Sequence, residues 1–394
     1  MELTARPLLP IPSPDPRCAL TGQVKLLAAE CGLSVARVTT MDPFPALEPL
    51  MLEHIAAGRV TGMDWFTPER AVFSTAPRNL HPAARSILAV GIAYRGADPG
   101  LPDDGQPRGR ISRYAWGVDY HKLLKQRMRT LHERIEAHLG RPVEARLLTD
   151  TARIVDRAVS ARAGLGWYGK HSCLIVPGFG SWVLLGELLL DLELEPDQPL
   201  DRDCGSCTIC LNQCPTGALV APYTVDAPRC LSFQTIEQRG AIPHEIRPRL
   251  GAWVFGCDVC QEVCPYTGAA RKPADPAFTP ARIEQAYPPL RWLLTMTEDE
   301  FREVYRGTPV LRAKRRGLAR NAAVALGNVG GEADIPWLIA ALDGHDELLP
   351  RGHAAWALGR FGGAAARAAL DRARQRDPDP WVREEATLAL ETFS

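Results

Sequence analysis

"CGSCTICLNQCP", residues 204–215, spaces its cysteines as C-x2-C-x2-C-x3-C-P: Cys204, Cys207, Cys210 and Cys214. In such a run three thiolates grip one [4Fe–4S] cube from a single tight loop, and the fourth crosses to another. The matching half lies downstream in "GCDVCQEVCPYTG", residues 256–268, with Cys257, Cys260, Cys264 and Pro265 but no leading cysteine. Only Cys230, in "APRCLSFQTIE", lies between the two groups. Eight cysteines match two cubes. The crossing rule assigns Cys204, Cys207, Cys210 and Cys264 to the first, and Cys214, Cys230, Cys257 and Cys260 to the second. Paired zinc sites rarely show this spacing with a proline after the last ligand. Cys18, Cys31 and Cys173 stand apart, and Cys173, in "HSCLIV", reads as a buried inert thiol.

Outside this segment the composition is that of an ordinary soluble protein. The 394 residues are 46% apolar, 23% charged and formally neutral, so any polyanion must be held by a local patch. Eleven cysteines without a secretory leader favour metal ligation over disulfides and a cytoplasmic setting. The most apolar run, "SWVLLGELLLDLEL", is interrupted by Glu187 and Asp191, too early for a membrane span.

Along the chain the composition changes character several times. Residues 1–17 form a proline-rich arm. Residues 18–196 alternate helical runs ("QVKLLAAECGL", "YHKLLKQRMRTLHERIEAHL") with strand-like ones ("RSILAVGIAY", "EARLLTD", "CLIVPG"), the signature of an α/β domain. Residues 197–275 hold the cysteines and resemble a bacterial-type two-[4Fe–4S] ferredoxin domain. Residues 276–305 read as a linker with short helices. Residues 306–394 repeat with a period of 32, set by Leu326, Leu358 and Leu390, as α-helical HEAT-like units do.

Three further stretches carry a family resemblance. "RYAWGVDYHKLL" (113–124), "TDTARIVDRAVSARAGLGWYGKHSCLIVPGFGSWVLLGEL" (149–188) and "RCLSFQTIEQRGAIPHEIRP" (229–248) resemble epoxyqueuosine reductases. That resemblance implies a nitroreductase-like, cobalamin-binding α/β domain. It also implies two clusters feeding electrons to cobalt, and reduction of epoxyqueuosine to queuosine at the wobble position of tRNA. Asp150, in "LLTDTA", matches the family's proton-donating aspartate. Ionised at neutral pH by its ordinary pKa, it must be raised by burial or receive a proton from a neighbour. Read alone, Asp150 would also serve as an N-cap for a helix entered at Ala152. Arg153 and Asp156 stand where the family has Pro and Glu.

Expected cofactor contacts are Asp150 itself, Gly169 and Lys170 in "AGLGWYGKHS", Ser181 in "GFGSW", and Ser232 and Phe233 after Cys230. "DYHKLL" lacks the glycine of a cobalt-ligating D-x-H-x-x-G motif, which leaves His121 a supporting role. A strip without acids, from Arg306 through Arg312, Lys314, Arg315, Arg316 and Arg320, suits RNA phosphates. Arg108, Arg110 and Arg113 form a second basic cluster. The implied partners are a tRNA anticodon stem-loop and a low-potential donor such as a flavodoxin or ferredoxin system, with no membrane and a monomeric chain. The alternatives are a cytosolic reductive dehalogenase-like enzyme and a ferredoxin-like electron-transfer module whose repeats dock a partner.

Overall fold

The structure is a computed structural model describing residues 16–270 and 275–393. The expected arm therefore lies almost wholly outside the described residues. At the centre is a four-stranded sheet of β1 (Val35–Thr40), β2 (Ser86–Ala93), β3 (Ala145–Thr149) and β4 (Val183–Leu190). The order is β1-β2-β4-β3, with every neighbour antiparallel. Helices α1 (Pro16–Glu30) and α2 (Tyr120–Leu139) cover one face, packing Val24, Leu27, Leu124 and Met128 on Leu88, Val90 and Leu188. Helix α3 (Asp156–Arg162) covers the other, where Val159 meets Ile87, Ala89 and Leu189. With both faces covered, β2 is buried along all eight residues.

The apolar run weighed for a membrane span is β4, an inner strand of this sheet. Among the described residues no helix is long and apolar enough to cross a membrane. "CLIVPG" forms the expected short buried strand, but outside the central sheet. Its Leu174–Ile175 pairs only with Trp167–Tyr168 in a separate two-stranded ribbon.

Helix α2 shows why the local sequence folds as it does. Asp119 caps its first turn by accepting the His121 N–H at 3.1 Å. Leu124, Met128, Leu131 and Ile135 recur at helical spacing and are buried, and Gly140 ends the helix at φ 65°. The cap also fixes where Tyr120 and His121 stand.

The expected segments interleave. Arg110–Ile111 pairs in parallel with Trp253–Phe255. One apolar core runs from Ile111 and Trp116 through Leu231 and Phe255 to Leu358 and Ala389. Residues 276–305 are not a loose connection, because Leu290, Leu293, Leu294 and Tyr305 are completely buried in that core. The repeats are α4 (Lys314–Val329), α5 (Ile335–Gly344), α6 (Leu348–Phe361), α7 (Ala364–Arg376) and α8 (Pro380–Glu391). Gly352 lets α6 and α8 meet closely, since a Cβ there would lie 2.3 Å from the Trp381 ring.

Arg320, expected among the RNA contacts, is instead part of this junction. It is 1% exposed and donates to the carbonyls of Gln234, Gln238 and Gly240 at 2.6–2.7 Å. Its place on the inward face of α4 explains the correction. A second buried tie, Arg247 with Glu385, spans from the cysteine segment to α8 at 2.6 and 2.7 Å. Breaking one partner of such a pair strands a buried charge.

Candidate functional site

A shared cleft and their electrostatic neighbours sort the eight cysteines into two sets. Burial pushes the Cys210 thiol up, and the neighbouring charges of Cys204, Cys264 and Cys207 add to it. These four line one small cleft with Lys170, His171 and Tyr266. In the second group, burial likewise raises Cys230, Cys257 and Cys260. Cys230 senses Cys214, Cys257 senses Cys230 and Cys214, and Cys260 senses Cys230 and Cys257. Buried thiols crowded this way favour a bound cation that takes up their negative charge. Cys173 borders the second group.

Burial also raises Cys264, but the nearby His171 side chain and the backbone N–H groups of Thr267 and Tyr266 outweigh it and leave this thiol below its ordinary value. The backbone N–H groups of Phe233 and Ser232 face the sulfur of Cys230 and favour its thiolate against the effect of burial. These two expected cofactor contacts therefore stand against the second cysteine group. Phe233 itself is buried beside Gly62.

Three other expected contacts are committed elsewhere. Lys170 Nζ donates to the Gly205 carbonyl at 2.5 Å, in the loop between Cys204 and Cys207. Gly169 makes room for His171, because a Cβ there would lie 2.6 Å from the ring. Ser181 is 4% exposed, accepts from Gln261 Nε2 and meets the Thr267 hydroxyl, both at 3.3 Å. Lys170 and Ser181 thus seat their loops on the cysteine segment.

Asp150 follows β3 in a turn with φ 31°, a left-handed conformation that Asp and Asn tolerate better than most side chains. No helix begins at Ala152, so Asp150 is not an N-cap; α3 starts at Asp156. Arg70 holds the turn by donating to the Ala152 carbonyl at 3.0 Å. The Asp150 side chain is 52% exposed, as befits a group at an open cleft.

Tyr120 donates its hydroxyl proton to Asp150 Oδ2 at 2.8 Å, and His121 Nε2 reaches the same oxygen at 3.1 Å. Both bonds fall on Oδ2, which leaves Oδ1 for a substrate. His121 Nδ1 is in turn held by Asp119 Oδ1 at 2.8 Å. Burial alone would raise Asp150, but the bonds from His121 and Tyr120 and the charges of His121 and Arg312 hold it below its ordinary value. Burial would lower His121, but its bonds to Asp119 and Asp150 outweigh that and push it up to about 9. The first route to a protonated Asp150, elevation by burial, is therefore overturned. At neutral pH the proton of this pair rests on His121.

Behind Asp150 lie two carboxyl groups. Glu187, fully buried on β4, has both oxygens without a hydrogen-bond donor among the described residues, as does Asp156 Oδ1. Burial, then the charge of Asp150, pushes Asp156 up, and burial, then the charge of Asp156, pushes Glu187 up, so the pair retains a proton. Arg153 lies over the Phe73 ring at 3.8 Å and does not occupy the cleft. Tyr114 links the two halves of the site. Its ring lies 6.0 Å from both Tyr120 and Phe255, and it senses the charges of Asp150 and of Asp258, beside Cys257.

Of the basic strip, Arg306, Arg312 and Lys314 are exposed and Arg316 half-buried. Arg312 pairs with Glu237 and acts electrostatically on Asp150, which places it at the catalytic end. Arg315 is paired with Asp346 and Glu298, its side chain 11% exposed, and offers little to a phosphate. Arg108, Arg110 and Arg113 are likewise neutralised by Asp104, Glu262 and Asp98.

Family models match in three places. Residues 203–267 match the 4Fe-4S double cluster binding domain, residues 75–151 "Epoxyqueuosine reductase QueG, DUF1730", and residues 308–391 HEAT repeats. The epoxyqueuosine reductase of Xanthomonas campestris pv. campestris is 38% identical over 355 residues, covering 89% of this chain and 98% of its own. That of Escherichia coli K12 is 37% identical over 341 residues, 86% and 89% of the two chains. A solved epoxyqueuosine reductase in complex with a tRNA-Tyr epoxyqueuosine-modified stem loop superposes with TM-score 0.89 and 31% identity, over 95% of this chain and 99% of that one.

Proposed function

This chain belongs to the epoxyqueuosine reductase family, and we propose that it reduces epoxyqueuosine to queuosine in the anticodon loop of tRNA. It is an oxidoreductase with two [4Fe–4S] clusters. The reaction takes two electrons and two protons, opens both epoxide carbon–oxygen bonds, releases the oxygen as water and leaves a carbon–carbon double bond. One observation carries the reading: Tyr114, its ring 6.0 Å from that of Tyr120, feels both Asp150, which is bonded to His121, and Asp258, the neighbour of Cys257.

We assign Cys204, Cys207, Cys210 and Cys264 to one cluster, and Cys214, Cys230, Cys257 and Cys260 to the other, on their mutual proximity. The remaining cofactor is the cobalamin that the family resemblance implies. Asp150 and Ser232 would border it. Lys170 and Ser181 also bond to the cysteine segment. Bound beside Asp150, cobalamin would supply a strongly reducing, nucleophilic cobalt. The protein's own part is protonation. Asp150 takes the His121 proton on Oδ2, rotation of its carboxyl about Cβ–Cγ turns that O–H to the epoxide oxygen, and Asp119 and Tyr120 hold both side chains in register. A low-potential flavodoxin or ferredoxin system delivers the electrons to a monomeric enzyme.

The direct test incubates anaerobically reconstituted, cobalamin-loaded protein with epoxyqueuosine-containing tRNA and a chemical reductant. Nucleoside mass spectrometry should show loss of one oxygen; an unchanged nucleoside from protein with full iron and corrin content would refute the reading.

For the RNA, the exposed Lys314 and half-buried Arg316 contact phosphates, and Arg312 neutralises charge nearer the reacting nucleoside. Lys314→Glu with Arg316→Glu should weaken tRNA binding and reduce the slope of log affinity against log salt by about 1 for each phosphate no longer neutralised. Fluorescence titration at several salt concentrations reads both. A slope equal to that of the parent protein would remove these side chains from the interface.

A further inference from the structure

His171 is unusual in being buried, aimed at a cofactor cradle and half unpartnered. It is 4% exposed and lines the cleft formed by Cys204, Cys207, Cys210 and Cys264. Its Nδ1 accepts the backbone N–H of Cys173 at 3.1 Å, so the neutral ring carries its proton on Nε2. That Nε2 is buried and has no hydrogen-bond partner among the described residues. Buried donors without an acceptor are rare, and the atoms this cleft supplies opposite the ring are sulfurs. Gly169 keeps the arrangement possible, since a side chain there would collide with Cε1 and Nδ1 of the ring. Lys170 fixes the same loop to the carbonyl of Gly205.

We propose that His171 donates its Nε2–H to a sulfur of the first cluster and thereby sets that cluster's reduction potential. This deepens the proposed function and rests only on its iron–sulfur part. A hydrogen bond to a cluster sulfur stabilises the electron added on reduction, so the potential rises. The second group receives its nearest N–H groups from the backbone, which no side-chain change removes. His171 is thus the tunable element of the pair. Exposed Ile209 and Tyr266 beside the first cluster put it at the outer end of the wire, where it fills first.

The test needs neither tRNA nor cobalamin. In an EPR-monitored redox titration of the reconstituted holoprotein, His171→Leu should lower one of two midpoints and leave the other in place. A tenfold fall in the reduced-to-oxidised ratio at fixed potential corresponds to 59 mV for a one-electron couple. His171→Gln, which keeps an N–H donor, should recover part of the shift. Two unchanged midpoints in His171→Leu with full iron content would overturn the proposal. Should that variant fail to load, the wild-type protein decides. With ¹⁵N-labelled histidine, pulsed EPR of the reduced protein should show one histidine nitrogen coupled to a cluster, and its absence would equally overturn the assignment. A total iron content near four would instead indict the two-cluster reading itself.

Discussion

Asp150→Asn is expected to lower turnover by about 10²- to 10⁴-fold, the range a positioned general acid contributes. Iron content and tRNA affinity should stay at wild-type values. Asn is the right probe because Asp150 sits at φ 31°, a conformation Asn also tolerates, so the turn survives and only the exchangeable carboxyl is lost. Single-turnover nucleoside analysis reads the rate; wild-type turnover in the variant would move the acid elsewhere. The same geometry sets a pH limb. His121 is pushed up to about 9 by the carboxylates of Asp119 and Asp150, against the effect of burial. Its proton is present below that value, and the rate should fall as pH rises through it. The ion pair's contribution to stability has the same sign: fully present below about 6.5, the unfolded value, and lost between there and about 9. His121→Gln should abolish the limb along with most of the rate.

Cys230→Ala is expected to bring iron from about eight atoms per chain to about four, with one cluster signal lost from the EPR spectrum of the reduced protein. Cys230 is the ligand without a motif, distant in sequence from its partners, yet its sulfur lies beside Cys214, Cys257 and Cys260. Epoxyqueuosine reduction should fall to background, because Tyr114 couples electrostatically both to Asp258, next to Cys257, and to Asp150. Cys173→Ala is the matched control: it borders the same group but is surplus to a four-sulfur site, and should keep eight irons. Eight irons in Cys230→Ala, or four in Cys173→Ala, would exchange the roles of the two residues.

The double-cluster domain is readable because ligand spacing is a local property of a loop. The proton machinery is not. Asp150 is visible as a motif, but its partner His121 lies 29 residues away, joined only when β3 ends beside the start of α2. Asp119 two residues before His121 is the available signal, a carboxylate spaced to cap a helix and orient an imidazole together. Glu187 reads along the sequence only as an interruption in an apolar run. A lone acid inside a buried strand demands a partner, and that demand points to Asp156. The glycine-rich loop packs on His171 and the cysteine segment, contacts the sequence does not announce, because glycine reports close approach without saying what approaches. Arg320 falls into the charged strip because a run of basic residues hides which helix face each one occupies.

In the proposed assignment Cys214 and Cys264 cross between the two clusters, which bears on biogenesis. Neither cube can be completed by the stretch of chain that starts it, so each is the clasp that shuts the other's ring. Iron loading should therefore behave as an interlock in which a half-filled protein is a transient, and damage by oxygen at one cube loosens the fastening of its twin.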